Sequence, residues 1–322
     1  MDEFEIIDRF FSAPQRKRRD VRLGIGDDAA ITRIPAGFDL VIATDSLVEG
    51  THFLPGTPAH ALGHRCLAVN LSDLAAMGAK PLWCTLALSL PDADVDWVQR
   101  FSAGFFALAD RFGIALIGGD TVRGPLSVTV TVHGQVQAGS GVCRSGANVG
   151  DLVYVTGSPG SAAAGLDLLR ASGDQIDVES DLVRSFWYPE PRVIEGMALN
   201  NLAQSTATSV TASAMIDISD GLHIDVSRLL GASDLGAELA LDALPGFQAD
   251  SALTVEQILF GGDDYELCFC VPPDAEAAFK KIVADWHCPV TKLGVARKDV
   301  VVSWLINGTP YDGNDSTFVH FE

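Results

Sequence analysis

VIATDSLVEGTHF, Val41 to Phe53, is the stretch on which the fold turns. Phe38 to Ala43 form a short apolar run of bulky and β-branched residues, the pattern of a buried strand. Polarity switches on at Thr44-Asp45, where the pattern predicts the strand to end, and Ser46, Glu49, Gly50, Thr51 and His52 follow before Phe53. In α/β folds, ligands bind where strands end, because the rigid sheet holds the loop that follows. Asp45 is therefore a candidate ligand, although an Asp before Ser also serves as a turn or cap residue. The same device recurs. In IALIGGDTVRG an apolar run meets Gly118-Gly119 and stops at Asp120-Thr121. In SAMIDISDGL the run Met215 to Ile218 carries Asp217 and leads to Ser219 and Asp220, with a helix expected from Gly221. FGGDDYELCFCV reverses the order, setting Asp263 and Asp264 before a strand.

Working outward, a helix is expected from about Ala59 to Met77, with Leu62, Cys66, Val69 and Leu74 as an apolar stripe. Asn70 and Asp73 lie three apart on one face near its end. An acid there opposes the helix macrodipole at a cost of about 0.3–1 kcal/mol, so Asp73 marks either a cation or a solvated surface. A strand over Leu82–Leu90, a helix with the core stripe Val98, Phe101, Phe105 and Leu108, and the alternating strand from Leu126 complete an order β-α-β-α-β-β. Ala147 to Gly150 break the chain and Asp151 opens a new strand. TGSPGSAAAGLDLL reads as strand, turn and helix, whose N-terminus either holds an anion or is plainly capped; with no Lys it is not a Walker A loop. Tyr188 to Arg192, YPEPR, start another helix with Pro near its first position. The fold class is α/β in two domains, residues 1–148 and 149–322.

The 322 residues carry 22 Lys and Arg against 42 Asp and Glu, a formal net charge of −20. Such a chain lacks the basic face that nucleic acid or an anionic membrane requires. The N-terminus MDEFEIIDRFF is an acidic amphipathic helix start followed by the basic run Arg16 to Arg19, which is not the order of a signal peptide. No apolar run reaches the roughly eighteen residues of a membrane span. The six cysteines form no C-x-x-C pair and read as scattered buried thiols in a reducing, cytoplasmic setting. LGIGDDAA, Leu23 to Ala30, fits the spacing of a dinucleotide fingerprint but would aim Asp27 and Asp28 at a pyrophosphate, with no long strand before it and no helix after it. A turn that sets Asp28 beside a metal, or an ordinary Asx turn, remains.

Asp28, Asp45, Asp73, Asp120, Asp217, Asp220 and Asp263 come from six separate stretches, mostly at strand ends or glycine-rich turns. Each alone also reads as a turn former. Together, with lysine absent between Lys80 and Lys280, they point to several Mg²⁺ ions holding phosphorylated substrates. A Mg²⁺-dependent phosphohydrolase and a noncatalytic divalent-cation-binding protein are the competing readings. The acceptor of a phosphoryl group that is itself an ionised phosphate needs no general base, and no residue reads as an acid, base or nucleophile.

GIGDDAA, TDSLVEGTHF, NLSDLAAMGA, IGGDT, RSGA, DISDGL and GGDDYEL, in this order, closely resemble the thiamine-monophosphate kinase family, from about Phe4 to Phe321. That family lies in the superfamily of aminoimidazole ribonucleotide synthetase. The resemblance implies an N-terminal α/β domain that binds ATP and metal and pairs in a homodimer through its sheet, and a C-terminal α/β domain. It implies direct transfer of phosphate from ATP to thiamine monophosphate, giving thiamine diphosphate. It carries Asp28, Thr44, Asp45, Asp73, Asp120, Asp217 and Asp220 over as magnesium ligands. Gly119, Asp120, Arg144 and Ser219 carry over as ATP contacts, and His52, Asp263 and Phe318 as substrate contacts. Asp263 stands where many members have Glu, Phe318 where an aromatic is often Trp or Tyr, and Ala43 where Ser or Thr is frequent.

Overall fold

A computed structural model describes residues 2–12, 18–172, 177–200, 212–247 and 253–313, so Phe318 lies outside the described residues. The chain divides into two units, Met1–Leu74 with Ala79–Ser140, and Ala75–Gly78 with Gly141–Glu322. The first begins with α1 (Glu3–Ile6), opened by a capping box between Asp2 and Glu5 and continued as a π-helix over Ile7–Ser12. Then come β1 (Val21–Leu23), β2 (Ile31–Thr32), β3 (Phe38–Val48), α2 (Ala59–Ala76), β4 (Lys80–Leu90), α3 (Val95–Phe112), β5 (Ala115–Arg123) and β6 (Ser127–Gln137).

β3, β6, β4 and β5 lie side by side in that order, antiparallel except for the β4–β5 pair, which α3 connects as a parallel crossover. The expected end of β3 at Thr44-Asp45 is overturned. The strand runs through both residues and pairs with β6 from Phe38↔Gln137 to Val48↔Ser127. Polarity there marks the alternation of a half-covered strand: Val41, Ala43, Asp45 and Leu47 turn inward, while Thr44 and Ser46 turn outward. The outward hydroxyls meet those of Thr131 and Thr129 across the ladder, at 2.9 and 2.7 Å. β5 likewise continues past Asp120-Thr121 to Arg123, because β4 pairs with it through Leu90↔Arg123.

β6 alternates as its sequence predicts, burying Val128, Val130, Val132 and Val136. On the helical side, Leu74 of α2 reaches Gly134 of β6. α3 starts at an Asp94 cap, whose carboxylate accepts from the N–H groups of Asp96 and Trp97, and stops at Gly113 in the left-handed region. Its stripe Val98, Phe101, Phe105 and Leu108 is buried. α2 is covered nearly all round, Arg65, Asn70 and Ser72 included, where the sequence suggested a single stripe. The outward face of the sheet is open and partly apolar, with Leu40, Ile42, Val48 and Val122 exposed.

The second unit holds β7 (Leu152–Thr156), α4 (Ser161–Ser172), α5 (Asp181–Trp187), α6 (Val193–Leu199), β8 (Ala214–Ile218), α7 (Leu222–Gly231), β9 (Gly236–Ala240), α8 (Val255–Phe260), β10 (Glu266–Val271), α9 (Glu276–Val283), β11 (Val290–Arg297), β12 (Val302–Ile306) and β13 (Thr309–Pro310). Seven strands in the order β13-β12-β9-β11-β7-β10-β8 form one mixed sheet. Leu222, Val226, Leu229 and Leu230 of α7 join Val153, Ile216 and Leu239 of the strands in its core. The helix after YPEPR starts at Val193, with Arg192 as N-cap, so Pro191 stands just outside it rather than in its first turn. All six cysteines are free; Cys66, Cys84, Cys268 and Cys270 are buried and Cys288 partly so, but Cys143 is exposed. Among the described residues no helix is long and apolar enough to cross a membrane.

α2 and α3 cross at Gly63 and Gly104. A Cβ on Gly104 would overlap the carbonyl oxygen of His60, and one on Gly63 that of Phe101. The helices therefore meet backbone to backbone, and only glycine fits. Gly104→Val should destabilise the first unit by about 2–3 kcal/mol through overpacking. A thermal unfolding scan with the wild-type midpoint would refute this crossing.

Candidate active site

In the first unit a cavity of about 680 Å³ joins two kinds of wall. Phe4, Ile7 and Phe11 line it together with the turn Gly24–Ala30 and the strand segment Gly118–Thr121. Asp28, Asp120 and Gly119, three of the expected site residues, thus share one cavity, and Asp27 joins them. The turn is tightened by Asp27, whose Oδ1 accepts the N–H of Asp28 at 2.8 Å. Between β1 and β2 there is neither long strand nor helix, as the rejection of the dinucleotide fingerprint requires. A Cβ on Gly119 would overlap the carbonyl oxygen of Leu86 on β4, so the two strands approach here more closely than a side chain allows, and Gly119 lines the cavity. The described lining residues include no Lys or Arg.

Asp45 sits half-buried on the inward face of β3, and its N–H donates to Oδ1 of the buried Asn70 at 2.9 Å. Asp73 follows Asn70 by three residues along the same face of α2 and is half-buried. Thr44, the neighbour of Asp45, points to the opposite face and donates its hydroxyl to the Val130 carbonyl at 3.0 Å. A cation beside the Asp45 carboxylate would therefore meet Thr44 through its backbone carbonyl, not its side chain. His52 lies in the turn after β3. Its N–H donates to Val48 O at 2.9 Å and its Nδ1 accepts from Val48 N–H at 3.1 Å, which puts the ring proton on Nε2.

In the second unit the expected residues gather at one end of β8. Asp217 is its penultimate residue and is buried; Ser219 and Asp220 form the bend that leads into α7. The turn Gly261–Tyr265 docks on that bend, with Asp263 N–H donating to Ser219 O and Tyr265 N–H to Ile218 O, both at 2.8 Å. Asp263 and Tyr265 both take left-handed backbone, φ 62° and 53°, and the Tyr265 hydroxyl donates to Asp263 Oδ1 at 3.0 Å. Such strain persists only where the surroundings impose it, and it clusters at functional sites. Arg144 is exposed on the loop Cys143–Ala147. That loop runs beside β8, its Cys143 carbonyl accepting from Met215 N–H, and Ser233 Oγ takes the N–H groups of Gly146 and Ala147 at 2.9 and 3.1 Å.

Three functional-looking acids escaped the sequence reading. Asp225, buried on α7, accepts the N–H groups of Ser219, Asp220 and Gly221 with Oδ2, at 3.0, 2.9 and 3.2 Å. Burial, helped by the charge of Asp220, pushes its pKa above the usual carboxylate value, while the Asp220 N–H and Arg228 pull the other way. Asp264 caps α4, accepting from Gly160 and Ala162 at 2.8 and 3.3 Å, so the chain's own carboxylate occupies the N-terminus where an anion was one expectation. Burial pushes its carboxyl well up. Glu266 takes Nε and Nη2 of Arg192, each at 2.6 Å, and the Thr156 hydroxyl at 2.6 Å. The spacing D-x₄-D of Asp220 to Asp225, opening a helix, was the available signal for the first of these; the other two stand in the motif GGDDYEL, but nothing local marked their partners.

Among the described residues no three His, Cys, Asp or Glu side chains stand close enough to hold a metal by themselves. The donors are hard carboxylate oxygens, and a cation here would complete its shell with water and phosphate. That is the habit of Mg²⁺, which binds through one or two carboxylates plus substrate phosphates. The donor set fits Mg²⁺.

Residues 26–136 match the N-terminal domain and residues 148–304 the C-terminal domain of the family described as AIR synthase related protein. The thiamine-monophosphate kinase of Salmonella typhimurium is 42% identical over 328 residues, covering 99% of this chain and 98% of its own. The crystal structure of thiamine-monophosphate kinase from Stenotrophomonas maltophilia superposes with a TM-score of 0.84 at 40% identity, over 97% of this chain and 98% of that one. AaThiL complexed with AMPPCP and TMP matches with a TM-score of 0.74 at 27% identity, over 90% and 89% of the two chains.

Removing the Ser233 hydroxyl should leave two loop N–H groups without their acceptor. Ser233→Ala is expected to speed amide exchange at Gly146 and Ala147 by about tenfold, the worth of one typical hydrogen bond. Unchanged exchange would show that the Arg144 loop is held otherwise.

Proposed function

From the premise that the chain belongs to the AIR synthase related protein family, and within it to the thiamine-monophosphate kinases, we propose how its residues share the work. The enzyme uses ATP to phosphorylate thiamine monophosphate to thiamine diphosphate. The observation that carries the assignment to this site is the cavity of the first unit, which Asp28 and Asp120 line together with the glycine pair Gly118-Gly119 and, among the described residues, no cationic side chain. In our reading Asp28, Asp45, Asp73 and Asp120 of the first unit, and Asp217 and Asp220 of the second, bind Mg²⁺, with Thr44 contributing its carbonyl. Gly119 lets the nucleotide approach the backbone, and Arg144 and Ser219 contact its phosphates. His52 offers the substrate phosphate the ring N–H that Val48 fixes on Nε2, and Asp263 contacts the substrate from its strained turn. Phe318 is proposed as an aromatic substrate contact on sequence alone. Bound Mg²⁺ supplies charge neutralisation and alignment for in-line transfer. The chain's residues hold the two substrates in line, and the acceptor oxygen, already ionised, attacks without a base.

The open face of the four-stranded sheet supports a homodimer in which two copies cover Leu40, Ile42, Val48 and Val122 against each other. Its central rows of Thr44, Thr85 and Thr131, and of Ser46, Ala87 and Thr129, are small and uncharged up to Asp120 at the β5 end of the second row, which suits close apposition over β3, β6 and β4. Cytoplasmic residence is proposed from six cysteines free of disulfides.

Phosphorus NMR of the protein with ATP, Mg²⁺ and thiamine monophosphate should show thiamine diphosphate and ADP growing together; inorganic phosphate without thiamine diphosphate would make the enzyme a hydrolase. Calorimetric titration should find ATP affinity at least a hundredfold weaker in chelator, with Mg²⁺ affinity raised by nucleotide through the same coupling. Equal ATP affinity in both conditions would place the acids away from the phosphates. Ile42→Glu should sediment as a monomer if the sheet face is the dimer contact, and an unchanged mass would rule that face out.

A further inference from the structure

The bend Ser219-Asp220-Gly221 is held from below by a chain of charges that ends on Asp220. Asp225, its side chain only 2% exposed, fixes the backbone of the bend through the three N–H groups gathered on its Oδ2. Its other oxygen, Oδ1, accepts from Nη1 of Arg228 at 2.8 Å, one turn further along α7. The same Nη1 donates to Oδ2 of Asp220. A nitrogen with two protons thus joins a buried carboxylate to an exposed one, and both protons are spent. The Asp220 side chain cannot rotate without giving up this charge-assisted bond.

We propose that Arg228, anchored by Asp225, is a positioning residue that holds Asp220 Oδ2 so that the carboxylate presents its other oxygen to a divalent cation. The inference rests on the reading of Asp220 as a cation ligand. Two physical roles are possible for a guanidinium in this position, and they differ in sign. If Arg228 only screened the acids, its charge would oppose an incoming cation, and removing it would strengthen cation binding. If it orients the ligand, removal lets the carboxylate wander and weakens binding, as loss of partners behind metal ligands does by about 10–100-fold. The geometry favours orientation. A screening charge needs no fixed place, whereas this one is pinned by a carboxylate buried in the fold and bonded to three consecutive backbone groups.

The test is Mn²⁺ binding in the presence of ATP, followed by electron paramagnetic resonance, together with the Mg²⁺ dependence of turnover, for wild type, Arg228→Lys and Arg228→Gln. Lysine keeps the charge but loses the planar guanidinium that meets both carboxylates. Positioning predicts that Arg228→Lys needs at least threefold more Mn²⁺ for half-saturation and Arg228→Gln at least tenfold more, with KM for thiamine monophosphate within twofold of wild type. Wild-type Mn²⁺ binding in Arg228→Lys, or tighter binding in Arg228→Gln, would overturn the proposal in favour of screening. Should Arg228→Gln lose its thermal transition, Arg228→Lys decides alone. A wild-type protein that bound Mn²⁺ normally but left thiamine monophosphate unphosphorylated would sink the kinase assignment, and the Mn²⁺ comparison among the variants would still judge Arg228.

Discussion

Repulsion between carboxylates is the constraint on which this structure is built. With a net charge of −20 and no lysine between Lys80 and Lys280, the chain gathers acids where it has few cations to offset them. Two unit charges 4 Å apart at an effective dielectric near 20 repel by about 4 kcal/mol. The fold answers in two ways. Three buried acids are tied to N–H groups or arginines: Asp264 to the start of α4, Glu266 to Arg192, Asp225 to the bend after Ile218 and to Arg228. Acids left toward the cavity, such as Asp28 and Asp120, have no cationic side chain lining the cavity with them among the described residues. A site so composed suits a ligand that brings its own positive charge, and a metal–nucleotide complex is such a ligand.

The division between these two kinds of acid explains what could be read from the sequence. Asp45, Asp120, Asp220 and Asp263 stand out because each sits beside glycine, serine or threonine near a change of polarity, a local signal. Asp225, Asp264 and Glu266 satisfy backbone or side-chain groups that the fold brings to them, across 104 residues for Asp264 with Gly160 and 74 for Glu266 with Arg192. No short window holds Asp264 or Glu266 with these partners, whereas Asp225 meets its own within six residues. Arg192 shows the same dependence on tertiary context: burial pulls its pKa down, but the Glu266 carboxylate outweighs this and the net shift is upward.

Element order was legible, and so were the ends of α2 and β4, but the ends of β3 and β5 were not. The order β-α-β-α-β-β and the core stripe of α3 stand in the structure as periodicity implies. β3 and β5 outran their expected ends because a polar residue in a strand has two meanings: the end of the strand, or the solvent side of a sheet covered on one face. Thr44, Ser46 and Thr129 carry the second meaning, and only the pairing of β3 with β6 along eleven residues separates it from the first. The burial of α2 on nearly every side was hidden for a related reason. Arg65, Asn70 and Ser72 are polar in sequence, yet the helix lies under cover, with Asn70 bonded to both β3 and its own helix.

Asp263 brings these strands of reasoning to one residue. The resemblance sets it where many family members have Glu, and for the substrate contact proposed above a shorter acid would ordinarily be a loss of reach. The backbone there is left-handed, at φ 62°, and the next residue but one, Tyr265, is left-handed as well. Asp enters that region several-fold more readily than most side chains, because its short carboxylate can bond locally; Glu has no such advantage. Here the local bond is made, to the Tyr265 hydroxyl at 3.0 Å, while the main-chain N–H is spent on Ser219. The shorter side chain therefore lowers the strain of the turn Gly261–Tyr265, and that turn is docked on the bend carrying Ser219 and Asp220. What Asp263 gives up in reach, it returns as a better-defined bend beneath the neighbouring acids.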